Sequence, residues 1–113
     1  MRRGEVYLGS FPYGDMPAMK LRPVLLLTGQ IGAGVEILVA YISSVVPVVP
    51  LESDLPLDPS RPEHSSTGLK SASVVRLHKL ATIHVTSLRR RLGEISAEAQ
   101  QDVDARLKDL LKL

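Results

Sequence analysis

Apolar residues recur along the first third of the chain in short runs with a strand period rather than a helical one. Gly4 to Phe11 alternates, with Val6 and Leu8 on one face, and predicts a first strand. Pro12-Tyr13-Gly14-Asp15-Met16-Pro17 reads as a loop from its Pro and Gly content. Arg22 to Leu27 predicts a second strand, where a proline is tolerated at the entrance. Gly29 to Gly34 makes a turn. Val35 to Ser43 predicts a third strand, apolar on both faces except for Glu36 and therefore central in its sheet. Pro47 to Gly68, punctuated by prolines, is either a functional loop or conceals a short edge strand. Ser73 to Thr82 predicts a further strand. Then the period changes: Val103, Leu107, Leu110 and Leu111 share one helical face, with Ser96 as N-cap and Glu98 in the first turn. Asp102 with Arg106 and Asp104 with Lys108 supply i,i+4 pairs. Short strands followed by one helix predict a single domain over residues 1–113, mainly β with a C-terminal α-helix. Its sheet should be strongly bent and barrel-like, with the helix packed across it.

Composition narrows the chemistry. There is no cysteine, which excludes disulfides and thiolate catalysis. With one Phe, three Tyr and no Trp, aliphatic side chains must fill the core, and a base-stacking platform is not evident. A formal charge of +2 suits a polyanionic partner without demanding one. Between Pro23 and Pro50 the only charge is Glu36, but Gly29, Gly32 and Gly34 break that run into pieces too short for a membrane helix. The N-terminus lacks the apolar stretch of a secretory signal, so the expectation is a soluble, cytoplasmic protein.

Four places could carry chemistry, each with a plainer alternative. Pro23 forces Arg22 into an extended conformation at a strand entrance, where a guanidinium could grip a phosphate through two parallel hydrogen bonds. It could equally be an ordinary strand-end arginine. Arg76 and His78 lie two apart on a strand, about 7 Å along the chain, so both leave the face opposite Val75 and Leu77. Such a pair can straddle a phosphodiester, or simply form the wet face of a half-buried strand. Ser43 and Ser44 could hold a phosphate oxygen, or satisfy the local backbone. Leu88-Arg89-Arg90-Arg91-Leu92 is the densest basic run, a solvated surface, a docking site for an acidic partner or a phosphate contact. His64, His78 and His84 have no metal-ligand spacing, and no cofactor or metal is expected.

Arg3-Gly4-Glu5-Val6-Tyr7-Leu8, Lys20-Leu21-Arg22-Pro23-Val24-Leu25-Leu26-Leu27, Ala40-Tyr41-Ile42-Ser43-Ser44, Thr67-Gly68-Leu69-Lys70 and Ser73 to Ile83 resemble, in order and spacing, the motifs of the PemK/MazF toxin family. That resemblance implies an SH3-like, CcdB/MazF-type bent β-barrel, a homodimer, and metal-independent cleavage of single-stranded RNA. In such enzymes the ribose 2′-hydroxyl attacks the adjacent phosphate, leaving a 2′,3′-cyclic phosphate and a 5′-hydroxyl. Position by position, it implies that Arg22 stabilises the phosphorane or donates a proton, and that Ser43 replaces the family's threonine. Arg76 and His78 fall where some members carry an arginine and an acidic base. Lys20, Ser44, Lys70 and Lys79, in or beside these motifs, would contact RNA. A cognate antitoxin would cover a groove formed by the Gly14–Lys20 loop and the Arg22/Arg76 face. That loop lacks the Glu-Gln pair often found before the Arg-Pro of better-known members, and His78 stands in place of a carboxylate. Two other functions fit the same fold: a CcdB-like poison of a protein target such as gyrase, acting through its C-terminal helix, or an inactive binding module. Leu110-Leu111-Lys112-Leu113 reads as packing rather than as an exposed hook, which disfavours the former.

Overall fold

The apolar runs pair into one antiparallel sheet in the computed structural model, which describes residues 1–11 and 20–113. The strands are β1 (Glu5–Ser10), β2 (Leu21–Leu26), β3 (Glu36–Ser43), β4 (Asp54–Leu57), β5 (Ser73–His84) and β6 (Leu88–Glu94). They lie in the order β4-β5-β3-β2-β1-β6, followed by the helix α1 (Ala97–Leu111). Short 3-10 turns at Pro62–Thr67 and Val85–Ser87 complete the chain. The Pro12–Pro17 loop predicted above lies outside the described residues.

Neighbouring positions on the middle strands face two separate cores, and this is why those strands are apolar throughout. Leu25, Leu27, Ala40 and Ile42 join Val6, Leu55, Val75 and Leu77 under the helix residues Ala99 and Val103. Val24, Leu26, Val39 and Tyr41 join Phe11, Ile37, Ile83 and Leu88 on the other face. The sheet bends so far that both faces close over apolar side chains. It remains an open, bent sheet rather than a barrel: no ladder joins β4 to β6.

The bend has a local cause in β5. Ala40 pairs with Leu80 but Tyr41 pairs with Arg76, so Leu77, His78 and Lys79 bulge out of the ladder. As expected, β3 is interior, and the Pro47–Gly68 stretch does conceal an edge strand, β4. The strand β6 was not expected from the sequence, which offered only a basic run there. It pairs with β1, and Arg91 Nε donates to the buried Glu5 Oε2 at 2.5 Å.

Ser96 caps α1 as predicted, its hydroxyl accepting from the Ala99 N–H at 3.1 Å. Arg106 pairs with Asp102 at 2.7 Å. Asp104 does not pair with Lys108; it takes Arg3 and the Gln100 side chain instead, because its face of the helix meets the N-terminal segment. Val103 is buried and Leu107 packs on the core, whereas Leu110, Leu111 and Leu113 are exposed at 37%, 52% and 87%. The last turn lies outside the core cluster, so the expectation that these leucines pack within the chain is wrong.

Glu5 ties the N-terminus to β6. Burial pushes its carboxyl upward, but the Arg91 side chain, the Arg2 N–H and the terminal ammonium together hold it below the usual carboxylate range. A depressed carboxylate stabilises the fold above its unfolded pKa, and that stabilisation disappears as pH falls through the folded value. Glu5→Gln should therefore cost about 1–2 kcal/mol at pH 7 and markedly less at an acid pH below the folded value. Equal losses at both pH values in denaturant titrations would contradict this.

Candidate functional site

At the junction of β1, β2, β3 and β6 lies a cavity of about 460 Å³. Leu8, Pro23, Ile42 and Leu92 provide apolar lining, and Arg22, Lys70 and Arg90 bring positive charge. Ser43, Ser44, Ser71 and Ser73 add hydroxyls, and no carboxylate lines the cavity among the described residues. Three cations facing hydroxyls, with no anion among them, form a site complementary to phosphate.

Each cation arrives there for a readable reason. Pro23 holds Arg22 extended at the start of β2, paired with Gly9. Gly68 adopts a left-handed φ of 73°, and the turn it makes carries Leu69 and Lys70 to the cavity. Arg90 pairs with Leu8 on β1, so strand alternation sends it to the cavity while Arg91 goes to Glu5. Arg90 was visible in the sequence only as one of three arginines. The Leu88/Arg90/Leu92 alternation was the signal that could have singled it out.

Ser43 follows the plainer of its two sequence readings. Its hydroxyl accepts from the Val45 N–H at 3.1 Å and donates to the Val45 carbonyl at 3.3 Å. To donate to a phosphate it must turn away from that long second bond. Ser44 is exposed at the rim. Lys20 is exposed just before β2 and is not among the residues lining the cavity. The part of the expected antitoxin groove formed by residues 14–19 lies outside the described residues.

Arg76 and His78 lie apart from that cavity lining, at a second cluster. Both reach the same buried carboxylate: Arg76 Nε is 2.8 Å from Asp54 Oδ1, and His78 Nδ1 is 4.0 Å from it. Burial lowers the His78 pKa first, Arg76 lowers it further, Asp54 opposes both, and Lys79 adds a smaller lowering. The imidazole therefore stays neutral to a lower pH than an ordinary one. Asp54 went unnoticed in the sequence because a four-residue strand containing Pro56 gives no period to read. Tyr41 connects the two groups: it lines the cavity, pairs with Arg76 across the ladder, and lies under Lys79 Nζ, 5.8 Å from the ring centroid. Indeed Asp54, Arg76, Tyr41, Val24, Tyr7 and Arg91 form one lateral row across all six strands. Among the described residues, no group of three or more His, Asp or Glu is placed to hold a metal ion. No helix among them is long and apolar enough to cross a membrane.

A family model described as "PemK-like, MazF-like toxin of type II toxin-antitoxin system" matches residues 2–111. No curated protein matches the sequence. Among solved structures the chain is similar to the Mycobacterium tuberculosis toxin MazF-mt6, with 24% identity, a TM-score of 0.75, and 96% of this chain and 97% of that one covered. It is also similar to a mycobacterial endoribonuclease solved in complex with its cognate antitoxin (19% identity, TM-score 0.70, 100% and 96% covered). MazF from Deinococcus radiodurans shares the fold at 21% identity, with a TM-score of 0.71 and 99% and 96% of the chains covered. At these identities the likeness establishes the fold.

Proposed function

We propose that this chain, which belongs to the PemK-like, MazF-like toxins of type II toxin–antitoxin systems, is an endoribonuclease that cleaves single-stranded RNA without a metal ion. The observation that carries the reading is the cavity, where Arg22, Lys70 and Arg90 meet hydroxyls and no lining carboxylate. A polyanion crossing it gains charge-assisted hydrogen bonds, and Arg22 is exposed and makes no ion pair among the described residues. In the reaction, the 2′-oxygen forms a bond to phosphorus as the bond to the 5′-oxygen breaks. The 2′-hydroxyl proton passes to His78 and the departing 5′-oxygen takes a proton from solvent, giving a 2′,3′-cyclic phosphate and a 5′-hydroxyl, after which His78 returns its proton to solvent. Arg22 and Arg76 face the negative charge that builds on the phosphorane.

The partners follow: single-stranded RNA as substrate, a cognate antitoxin as inhibitor, and a second copy of the chain. Within one chain β3 is already covered on both faces and offers no apolar surface to a second copy. Exposed apolar surface instead lies just after it, where Val45, Val46, Val48, Val49 and Leu51 are solvent-accessible. The exposed Leu110, Leu111 and Leu113 favour, as a second reading, a protein-directed toxin that uses its helix end.

Incubating the purified chain with a long unstructured RNA and analysing the 3′ ends separates these readings. Cyclic phosphates, unaffected by EDTA, are the expected result, from a species that sediments as a dimer at micromolar concentration. An intact RNA with toxicity retained in cells would favour the protein-directed reading. Cleavage abolished by EDTA would sink the metal-free mechanism, and a monomer in the ultracentrifuge the dimer.

A further inference from the structure

We propose that Asp54 is a positioning residue, whose buried carboxylate holds Arg76 and His78 in fixed relation so that both act on one phosphodiester. The inference rests on the ribonuclease reading for its consequence, but its geometry stands independently. The Asp54 side chain is fully buried, while those of Arg76 and His78 are 20% and 30% exposed. A carboxylate in that position faces one permanent cation and one imidazole that can become a cation, and both side chains reach solvent. Its two oxygens are divided: Oδ2 accepts the Leu51 N–H at 2.8 Å, which fixes the carboxylate plane, and Oδ1 faces Arg76 and His78.

The surroundings are built to keep it there. Arg106 on α1 donates from Nη1 to the backbone carbonyls of Glu52 at 2.6 Å and Asp54 at 2.8 Å, and Asp102 holds Arg106 in turn. The short edge strand that carries Asp54 is thus clamped from the helix side. On the opposite side, the bulge at residues 77–79 frees His78 from the β3 ladder. The Arg76 Nε and Asp54 Oδ1 atoms are buried and close, yet their angle misses that of a directed hydrogen bond. The contact orients the guanidinium through charge. At 4.0 Å the His78 Nδ1 lies beyond hydrogen-bond reach of Oδ1, so the carboxylate acts on the imidazole through charge, favouring its protonated form and drawing that ring edge toward Asp54.

Among the described residues, the charged groups around His78 are Asp54 from β4 and Arg76 and Lys79 from β5, with Arg106 of α1 engaged on the β4 backbone. Asp54 is the one among them that favours the imidazolium. Asp54→Asn keeps the shape and an acceptor for the Leu51 N–H but removes the charge. NMR titration of His78, with the His64 and His84 resonances as internal controls, should then show its midpoint moved at least half a unit lower. Cleavage should lose roughly 10- to 100-fold in kcat with a smaller change in KM, as expected when reacting groups lose alignment. The acid limb of the pH–rate profile should follow the NMR midpoint. Asp54→Glu, which restores the charge on a longer arm, should recover the midpoint more fully than the rate. Thermal melts check that the variants are folded. An unmoved His78 midpoint in folded Asp54→Asn overturns the proposal whatever the RNA assay gives, as does a moved midpoint with kcat unchanged. If the wild-type chain cleaves no RNA, the ribonuclease reading fails, while the His78 midpoint still decides whether Asp54 holds that side chain.

Discussion

Arg22→Ala should lower the rate of RNA cleavage by about 10²-fold or more while leaving the fold intact, in line with losing a preorganised charge donor. The side chain is exposed at the β2 entrance, belongs to neither apolar cluster, and makes no ion pair among the described residues, so the core does not depend on it. What it does contribute is charge at the cavity rim, beside Ser43 and Ser44 and with Lys70 and Arg90 as further cations. Arg22→Lys should restore only part of the rate, because an ammonium cannot make the two-pronged contact of a guanidinium. His78→Ala should lose less, roughly 10- to 10³-fold, as removal of a general base does. Activity that depends on neutral His78 should fall as pH drops through its pKa. Burial and Arg76 place that value below the ordinary imidazole value of about 6.5. The acid limb therefore belongs below that pH, with the rate sustained above it. A folded Arg22→Ala chain that cleaves RNA at the wild-type rate would remove Arg22 from the mechanism.

Gly93→Val should be strongly destabilising, costing roughly 3 kcal/mol or more. A Cβ at Gly93 would lie 2.1 Å from the Ser66 carbonyl oxygen and 2.6 Å from the Thr67 carbonyl carbon. Those are backbone atoms, which cannot swing aside as a side-chain tip can. The contact is reciprocal, because a Cβ at Gly68 would lie 2.0 Å from the Leu92 carbonyl oxygen. The two glycines let the end of the Pro62–Thr67 turn sit directly against β6. That seat sets the direction in which Leu69 and Lys70 enter the cavity. Gly68→Ala adds a left-handed penalty of about 1 kcal/mol to its clash. Gly32→Ala is the comparison: φ is 66°, but a Cβ there meets nothing within 4 Å, so only the penalty of about 1 kcal/mol remains. Thermal denaturation should rank Gly93→Val well below Gly32→Ala. A Gly93→Val chain melting within a few degrees of wild type would show that the turn and β6 are not locked by this contact.

The first three strands, the interior position of β3 and the capped helix were legible because each leaves a local pattern of apolar positions, a period in some and an unbroken run in others. The helix declares itself by Ser96 and the spacing of Val103 and Leu107, and the strands by short aliphatic runs between glycines and prolines. The strand β6 was not legible, since Arg89, Arg90 and Arg91 put charge on both of its faces and erase the alternation that marks a half-buried strand. Each of those faces is acceptable only in context, one beside a cavity and the other over Glu5. The leucines at the end of α1 continue the helical pattern past the point where the sheet can cover them, so periodicity alone overstated their burial.

By itself, then, the chain's order of residues determined that Arg22 would be extended, that Arg76 and His78 would leave the same face, and that a helix would close the domain. These follow from local sterics: a proline constrains its predecessor, strand side chains alternate, and a serine caps the first turn. Only the tertiary structure decided which distant residues share a site. Asp54 meets Arg76 and His78 because β4 pairs with β5 across a turn-rich stretch, and Arg90 meets Arg22 because β6 and β2 flank β1. Pairing partners separated by many residues are selected by burial summed over the whole sheet. No short stretch of sequence contains that sum.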